Sequence, residues 1–311
     1  ISLTGGYILT CASVVGPATE VLVSAAGGDT IPAREVGPDW RTNVAALENM
    51  GLNLPGAPIA ESALLFPGDF MVSVGWGPPG GPRAAFGSVT LVDGVHLGYS
   101  EINMIEAAAP LFPGFTGGVA LNRDGLAVGL IAGRTALDAD KAIVPAGTHL
   151  LSGYVQDEFL ATTAPTVVTL ALPMDHALEI ANEIIRLGHV ERGYLGVQVE
   201  MTEVAEGRGP RMKGVLLHQL VDDGPAADAG LIPGDVILDY AGARVESPQD
   251  LSFLVNATRP GSSVPVRFLR RGQMGMAFVM IKQAPEIGWS PDADRALLVN
   301  PGESALAPRV R

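Results

Sequence analysis

The sequence predicts a mainly β protein in two β-rich parts, and three observations carry that expectation. Glycine (39) and proline (24) are abundant in the 311 residues while aromatics are only 5%, a balance that favours short strands joined by tight turns. From Ile1 to about Thr163, β-branched and small apolar runs alternate with turn clusters. Near Met174 the hydrophobic period becomes that of a helix, and a second strand-rich stretch opens at Gly193.

The strand candidates of the first part are "YILTCASVV", "TEVLVSAA", "DFMVSVGW", "FGSVTLVDG", "GGVALN" and "LAVGLIAG", punctuated by "AGGD", "WGPPGGP" and "NRDG". That spacing predicts an antiparallel barrel or sandwich, not alternating strand–helix units. In "PMDHALEIANEIIRLGHVERGYLGV", Ala177, Ile180, Ala181, Ile184 and Ile185 fall on one helical face. They predict a connecting helix from about Met174 to Leu187 with Gly188 closing it. In the second part, "SPQDLSFLVNA" reads as a helix start, with Ser247 as N-cap, Pro248 in the first helical position and Asp250 completing a capping box. The tail after about Ala284 has no periodicity and reads as an extended or partly disordered arm.

Composition removes several classes of function. A net charge of −13 with no Lys/Arg-rich run leaves nothing to neutralise phosphates, so no nucleic-acid partner is expected. Cys11 is the one cysteine, which excludes an internal disulfide. No apolar run reaches the ~18 residues of a membrane span. The absence of His-x-x-x-His, of a cysteine pair and of clustered carboxylates gives no metal site and no cofactor. The sequence opens on Ile1, not Met, so a preceding signal peptide or membrane anchor is compatible with it.

Several stretches, in the same order, resemble the bacterial HtrA (Deg) family, a trypsin-like protease domain followed by a PDZ domain. "GYILTCASVV" is similar to the strand that delivers the family's catalytic histidine, and "WRTNVAAL" to the segment bearing its aspartate. "LFPGDFMVSVG" resembles the start of the second barrel, and "PGFTGGVALNRDGLAVGL" the nucleophile loop and its hairpin. "ALPMDHALEIANEIIRLGHVERGYLGV" resembles the linker helix running into the PDZ carboxylate-binding loop, and "GPAADAGLIPGDVIL" is a specific PDZ signature. The resemblance implies a double six-stranded β-barrel over residues 1–172, a linker helix over 173–192, a PDZ domain with two short helices over 193–284 and a Pro-rich tail over 285–311.

Carried over position by position, the resemblance puts Ser13 where the family has its histidine, Asn43 at the aspartate and Thr116 at the serine. A serine protease needs a base for the hydroxyl proton and a carboxylate to orient that base. Threonine keeps a hydroxyl, but serine is no base near neutral pH and asparagine brings no charge. The expectation is a pseudo-protease, with Gly114, Phe115 and Thr116 as the remnant of an oxyanion loop. Phe115 stands where the family has a small polar residue, and packing residues are expected to fill the former site. Of the histidines, His96 and His149 lie in the second-barrel region and His176, His189 and His218 fall on the linker or beyond. Each reads as a surface or hydrogen-bonded residue, and Cys11 as a small buried one.

The PDZ half keeps what its function needs. Such domains add a peptide as an extra strand and hold its C-terminal carboxylate on successive backbone N–H groups. Gly193, Tyr194, Leu195, Gly196 and Val197 match that loop, and by resemblance Leu251, Leu254 and Val255 of the facing helix line an apolar pocket. Taken together the expectations are a non-catalytic scaffold for protein or peptide C-termini, periplasmic or otherwise extracytoplasmic by family, forming a homo-oligomer or part of a larger assembly. Two alternatives stand beside it: an active peptidase using Thr116 with a relocated base, and a purely structural subunit.

Overall fold

The computed structural model describes residues 1–18, 21–24, 30–51, 54–77, 81–95, 103–137, 166–205 and 211–285. The expected tail from 286 onward, His96 and His149 lie outside them. The described chain divides into two compact units that meet between Val190 and Glu191, and each is described separately.

In the first unit, strands β1 (Ser2–Leu3), β2 (Tyr7–Cys11), β3 (Val21–Ser24), β4 (Thr30–Asp39) and β5 (Val44–Asn49) form an antiparallel sheet in the order β1-β2-β5-β4-β3. Five strands make this first half among the described residues, where six had been expected. The run "YILTCASVV" is also not one strand: β2 stops at Cys11 and a single helical turn, α1 (Ala12–Val15), takes over. Strands β6 (Phe70–Gly77), β7 (Gly81–Val95), β8 (Asn103–Ala108), β9 (Val119–Leu121), β10 (Ala127–Leu137) and β11 (Thr166–Pro173) close into a six-stranded antiparallel barrel. Their small residues suit a tight barrel interior, with Ala107, Ala120, Ala171 and Val128 buried around Met71 and Ile105.

Helix α2 (Met174–Leu187) follows β11 directly and ends at Gly188, whose φ of 82° supplies the left-handed turn after the last helical residue. Its apolar face buries Met174, Ala177, Ala181 and Ile184. These join Leu9, Val44 and Ala46 of the first sheet and Leu130, Leu170 and Leu172 of the barrel in one cluster. The helix is therefore more than a connector, since it closes the core that the two β-halves share.

The second unit contains β12 (Gly193–Tyr194), β13 (Val197–Ala205), β14 (Arg211–Leu220), α3 (Pro225–Asp228), β15 (Val236–Tyr240), β16 (Ala243–Arg244), α4 (Pro248–Asn256), β17 (Ser263–Arg270), β18 (Gln273–Met280) and β19 (Lys282–Gln283). Strands β13-β14-β15-β17-β18 form the sheet, and β12 pairs with β19. The predicted capping box is formed: Ser247 Oγ accepts from the Asp250 N–H at 3.2 Å, and the Asp250 carboxylate accepts from the Ser247 N–H at 2.9 Å. The fully buried Asp235 carboxylate is held by the forked guanidinium of Arg270 at 2.7 and 2.8 Å.

Candidate functional site

The first candidate site is built where β2 ends, at the β4–β5 turn and in the loop before β9. Helix α1 starts abruptly because Asn43 supplies acceptors for its first N–H groups. The Asn43 main-chain oxygen accepts from Ala12 N–H at 3.0 Å, and its side-chain Oδ1 accepts from Ser13 N–H at 2.8 Å. Asn43 does this from a left-handed backbone, φ 59°, a conformation asparagine tolerates better than most residues. Its carboxamide oxygen is thus engaged with the main chain of residue 13. The Ser13 hydroxyl is sequestered and meets no hydrogen-bond partner among the described residues.

The loop carrying Thr116 is drawn against this corner by backbone contacts. Gly117 N–H donates to Ile131 O at 2.9 Å, Ile131 N–H donates to Gly118 O at 3.0 Å, and Trp76 N–H donates to Gly114 O at 3.0 Å. At Gly117 a side chain has no room, because a Cβ would fall 2.4 Å from Thr10 Oγ1 and 3.3 Å from Cys11 N. The loop and the segment that leads into Ser13 are thereby in direct contact. Thr116 is half-buried. Neither its N–H nor that of Gly114 meets an acceptor among the described residues. Phe115, read as a departure in the sequence, is fully buried and meets Phe112 edge-on, ring centroids 5.6 Å apart.

The described histidines belong to other elements. His176 is on α2 and His189 follows it, while His218 is on β14 and donates to Glu200 at 2.9 Å. Cys11 is completely buried and its thiol donates to Ile131 O at 3.3 Å. Burial pushes that thiol up to about 12, against a smaller opposing pull from the Gly117 N–H, so no thiolate is present for nucleophilic chemistry. Among the described residues, no three His, Cys, Asp or Glu side chains are placed to hold a metal ion.

The second candidate site is the loop between β12 and β13. Gly193 is fixed by contact, since a Cβ there would lie 2.1 Å from Val255 O and 2.7 Å from Thr258 O at the end of α4. Leu195 turns into the core, while its carbonyl accepts from Ala226 N–H at 3.1 Å and that of Gly196 accepts from Val221 N–H at 2.9 Å. With the carbonyls tied inward, the Leu195 and Gly196 N–H groups have no acceptor among the described residues. Next to them, β13 is the end strand of its sheet, and among the described residues only β14 pairs with it. On α4, Leu251 and Val255 are buried in the core of the unit and Leu254 packs against it from the margin.

A free strand edge beside a turn of unused N–H groups is the arrangement that accepts an extended peptide and its terminal carboxylate. A trypsin-like peptidase domain model matches residues 1–130, and a PDZ domain model matches residues 193–281. A trypsin-like domain followed by a PDZ domain is the arrangement of the HtrA-type proteases, which the chain resembles over most of its length. It is 29% identical over 297 residues to a probable periplasmic serine endoprotease, DegP-like, of Pseudomonas putida (strain W619), covering 93% of this chain and 57% of the relative. Against the counterpart of the same description from Halomonas elongata it is 30% identical over 289 residues, covering 90% and 55%. The chain thus spans a little over half the length of these relatives. Among solved structures, the HtrA-type protease AlgW with a decapeptide superposes with a TM-score of 0.75 at 26% identity, over 92% of this chain and 82% of that one. The serine endoprotease from Yersinia pestis gives 0.68 at 26% identity, over 90% and 86%. No helix among the described residues is long and apolar enough to cross a membrane.

Proposed function

We propose that this chain is a pseudo-protease of the HtrA/DegP family that acts as a peptide- or protein-binding subunit through its PDZ domain. The observation that carries the reading is the set Ser13, Asn43 and Thr116 around the peptidase corner. Asn43 spends its carboxamide oxygen on the Ser13 main chain, and neither residue can take a proton from Thr116 near neutral pH. In serine proteases, loss of a triad of this kind lowers turnover by about six orders of magnitude. The donors at Gly114 and Thr116 can still polarise a carbonyl, but no activated nucleophile stands beside it.

What supports the binding role is the loop Gly193–Tyr194–Leu195–Gly196–Val197, with its unused N–H groups and the free β13 edge. The solved AlgW relative, described as bound to a decapeptide, is consistent with the same use here. Leu254 and the margin of the core formed by Leu251 and Val255 are the apolar surface for the peptide's last side chains. The periplasmic description of the relatives supports an extracytoplasmic site of action, and a homo-oligomer or larger assembly belongs to the same proposal. The test is incubation of the purified chain with unfolded casein and with a fluorophosphonate probe. No cleavage and no label are expected. Labelling at Thr116, or cleavage abolished by Thr116→Ala, would establish an enzyme and overturn the reading.

A further inference from the structure

The β13 edge carries information about which peptides fit it. Strand β13 is regular, because the extra residue in its ladder with β14 belongs to β14. Gln198 faces Gln219 and Val199 faces Leu217, leaving His218 unpaired between them. Over Val197–Glu200, next to the loop, the side chains of β13 alternate in burial, before the exposed Met201 breaks the pattern. Val197 and Val199 turn toward the core of the unit, while Gln198 and Glu200 stand exposed on the other face. The bulged His218 reaches across this outer face, and its Nε2 meets Glu200 Oε1 at 2.9 Å. The second oxygen, Oε2, has no partner among the described residues. Further along, the exposed Glu203 has its own counter-charge in Arg211, at 3.8 Å. Gln198 is neutral. Glu200 is therefore the acidic side chain nearest the carboxylate loop on that face with no cationic partner apart from a protonatable imidazole.

An added strand aligned antiparallel to β13, with its carboxylate at Leu195–Gly196, advances one residue for each residue of β13. Its last side chain falls beside Val197 and points inward. Alternation then sends the third residue before it outward, beside Glu200. Resting on the peptide-binding role proposed above, we infer that Glu200 makes this site select peptides with lysine or arginine three residues before an apolar C-terminal residue. The bulge is part of the device, since it brings His218 to fix the carboxylate by one oxygen and leaves the other for the incoming cation. Glu200 is exposed, so the selection is modest: an ion pair of this kind is worth about two- to fivefold in affinity and is screened by salt.

The experiment uses the full chain and fluorescein-labelled octapeptides ending Lys-Val-Ser-Val or Lys-Val-Ser-Phe, each with a free carboxylate. Counterparts carry Glu in place of Lys, or an amidated end. Fluorescence anisotropy is expected to show the Lys peptides binding about fivefold tighter than their Glu counterparts, with the gap closing at about 0.5 M salt. Glu200→Gln is expected to remove the preference and Glu200→Lys to invert it, while amidated peptides bind to neither. Equal affinity of the Lys and Glu peptides, or a preference that survives Glu200→Gln, overturns the inference and leaves the peptide-binding role standing. Failure of every free-carboxylate peptide to bind, or equal binding of the amidated ones, overturns the role itself and the inference with it.

Discussion

Asn43, proposed above as the counterpart of a catalytic carboxylate, has contacts that give it a structural task whose size follows from the geometry. Replacing it by alanine removes the acceptor of the Ser13 N–H, a 2.8 Å bond, and strands that donor at the start of α1. Loss of such a bond costs about 1 kcal/mol. Alanine must also hold the left-handed backbone, φ 59°, at about 1 kcal/mol more than asparagine. The expected loss for Asn43→Ala is about 2 kcal/mol on these two terms. Asn43→Gly relieves the backbone but not the missing acceptor, so about 1 kcal/mol is expected. Asn43→Asp keeps a carboxylate oxygen in the same place and is expected to leave stability nearly unchanged. Urea denaturation followed by tryptophan fluorescence, in a background where Trp76 and Trp289 are replaced by Phe, reports on the right region, because Trp40 packs on the small core beside α1 that includes Ala12, Val15 and Ala45. An alanine variant as stable as the parent, or a glycine variant less stable than alanine, would show that Asn43 does not hold the helical turn in the way described.

Other perturbations follow from buried groups. Burial raises the Glu35 carboxyl above its ordinary 4.5, and Oε1 has no hydrogen-bond partner among the described residues. A folded value above the unfolded one means the native state binds more protons just above pH 4.5, so stability falls as pH rises through that window; Glu35→Gln is expected to flatten the fall in urea titrations at stepped pH. Arg270→Ala leaves the Asp235 carboxylate buried without its forked partner, and discounting for the partial exposure of the arginine a loss of about 2 kcal/mol is expected from chemical denaturation. The Cys11 thiol, buried and held near 12, is expected to resist a thiol-reactive disulfide reagent at pH 8 and to react at once in denaturant. Rapid reaction of the native chain would mean that β2 opens readily.

The features legible from the sequence are those set by neighbours along the chain. Helix α2 announced itself by five apolar residues at helical spacing and by Gly188, and α4 by Ser247, Pro248 and Asp250, because periodicity and caps are local. The one-turn helix α1 was invisible, since four residues are too few for a period, and its start is dictated by Asn43, 30 positions away. For the same reason Asn43 read only as a missing charge, while its hydrogen bonds give it a second role. A helical face gives direction but not depth, so the sequence places Leu251, Leu254 and Val255 on one side of α4 without showing that Leu251 and Val255 are buried while Leu254 stays at the margin. His218 reads from the sequence only as a surface or hydrogen-bonded residue and Glu200 not at all, because a bulge is a mismatch between two strands and neither strand encodes it alone. Phe115 was visible as a departure from the family pattern, but its burial depends on Phe112 and on the close passage of Gly75, whose Cβ would fall 2.5 Å from the Phe115 Cα.

The clamp on Gly117 bears on how such a loop should be read wherever it is met. A side chain there would strike Thr10 and the Cys11 backbone, and its N–H is tied to Ile131. The paired glycines are thus demanded by the meeting of β2, β10 and the loop, whether or not a proton is ever transferred. A lineage that abandons proteolysis remains free to exchange Ser13 and Thr116 but is not free to exchange Gly117. A glycine pair after the nucleophile position records descent and packing, and the test of trade lies in the three side chains around it.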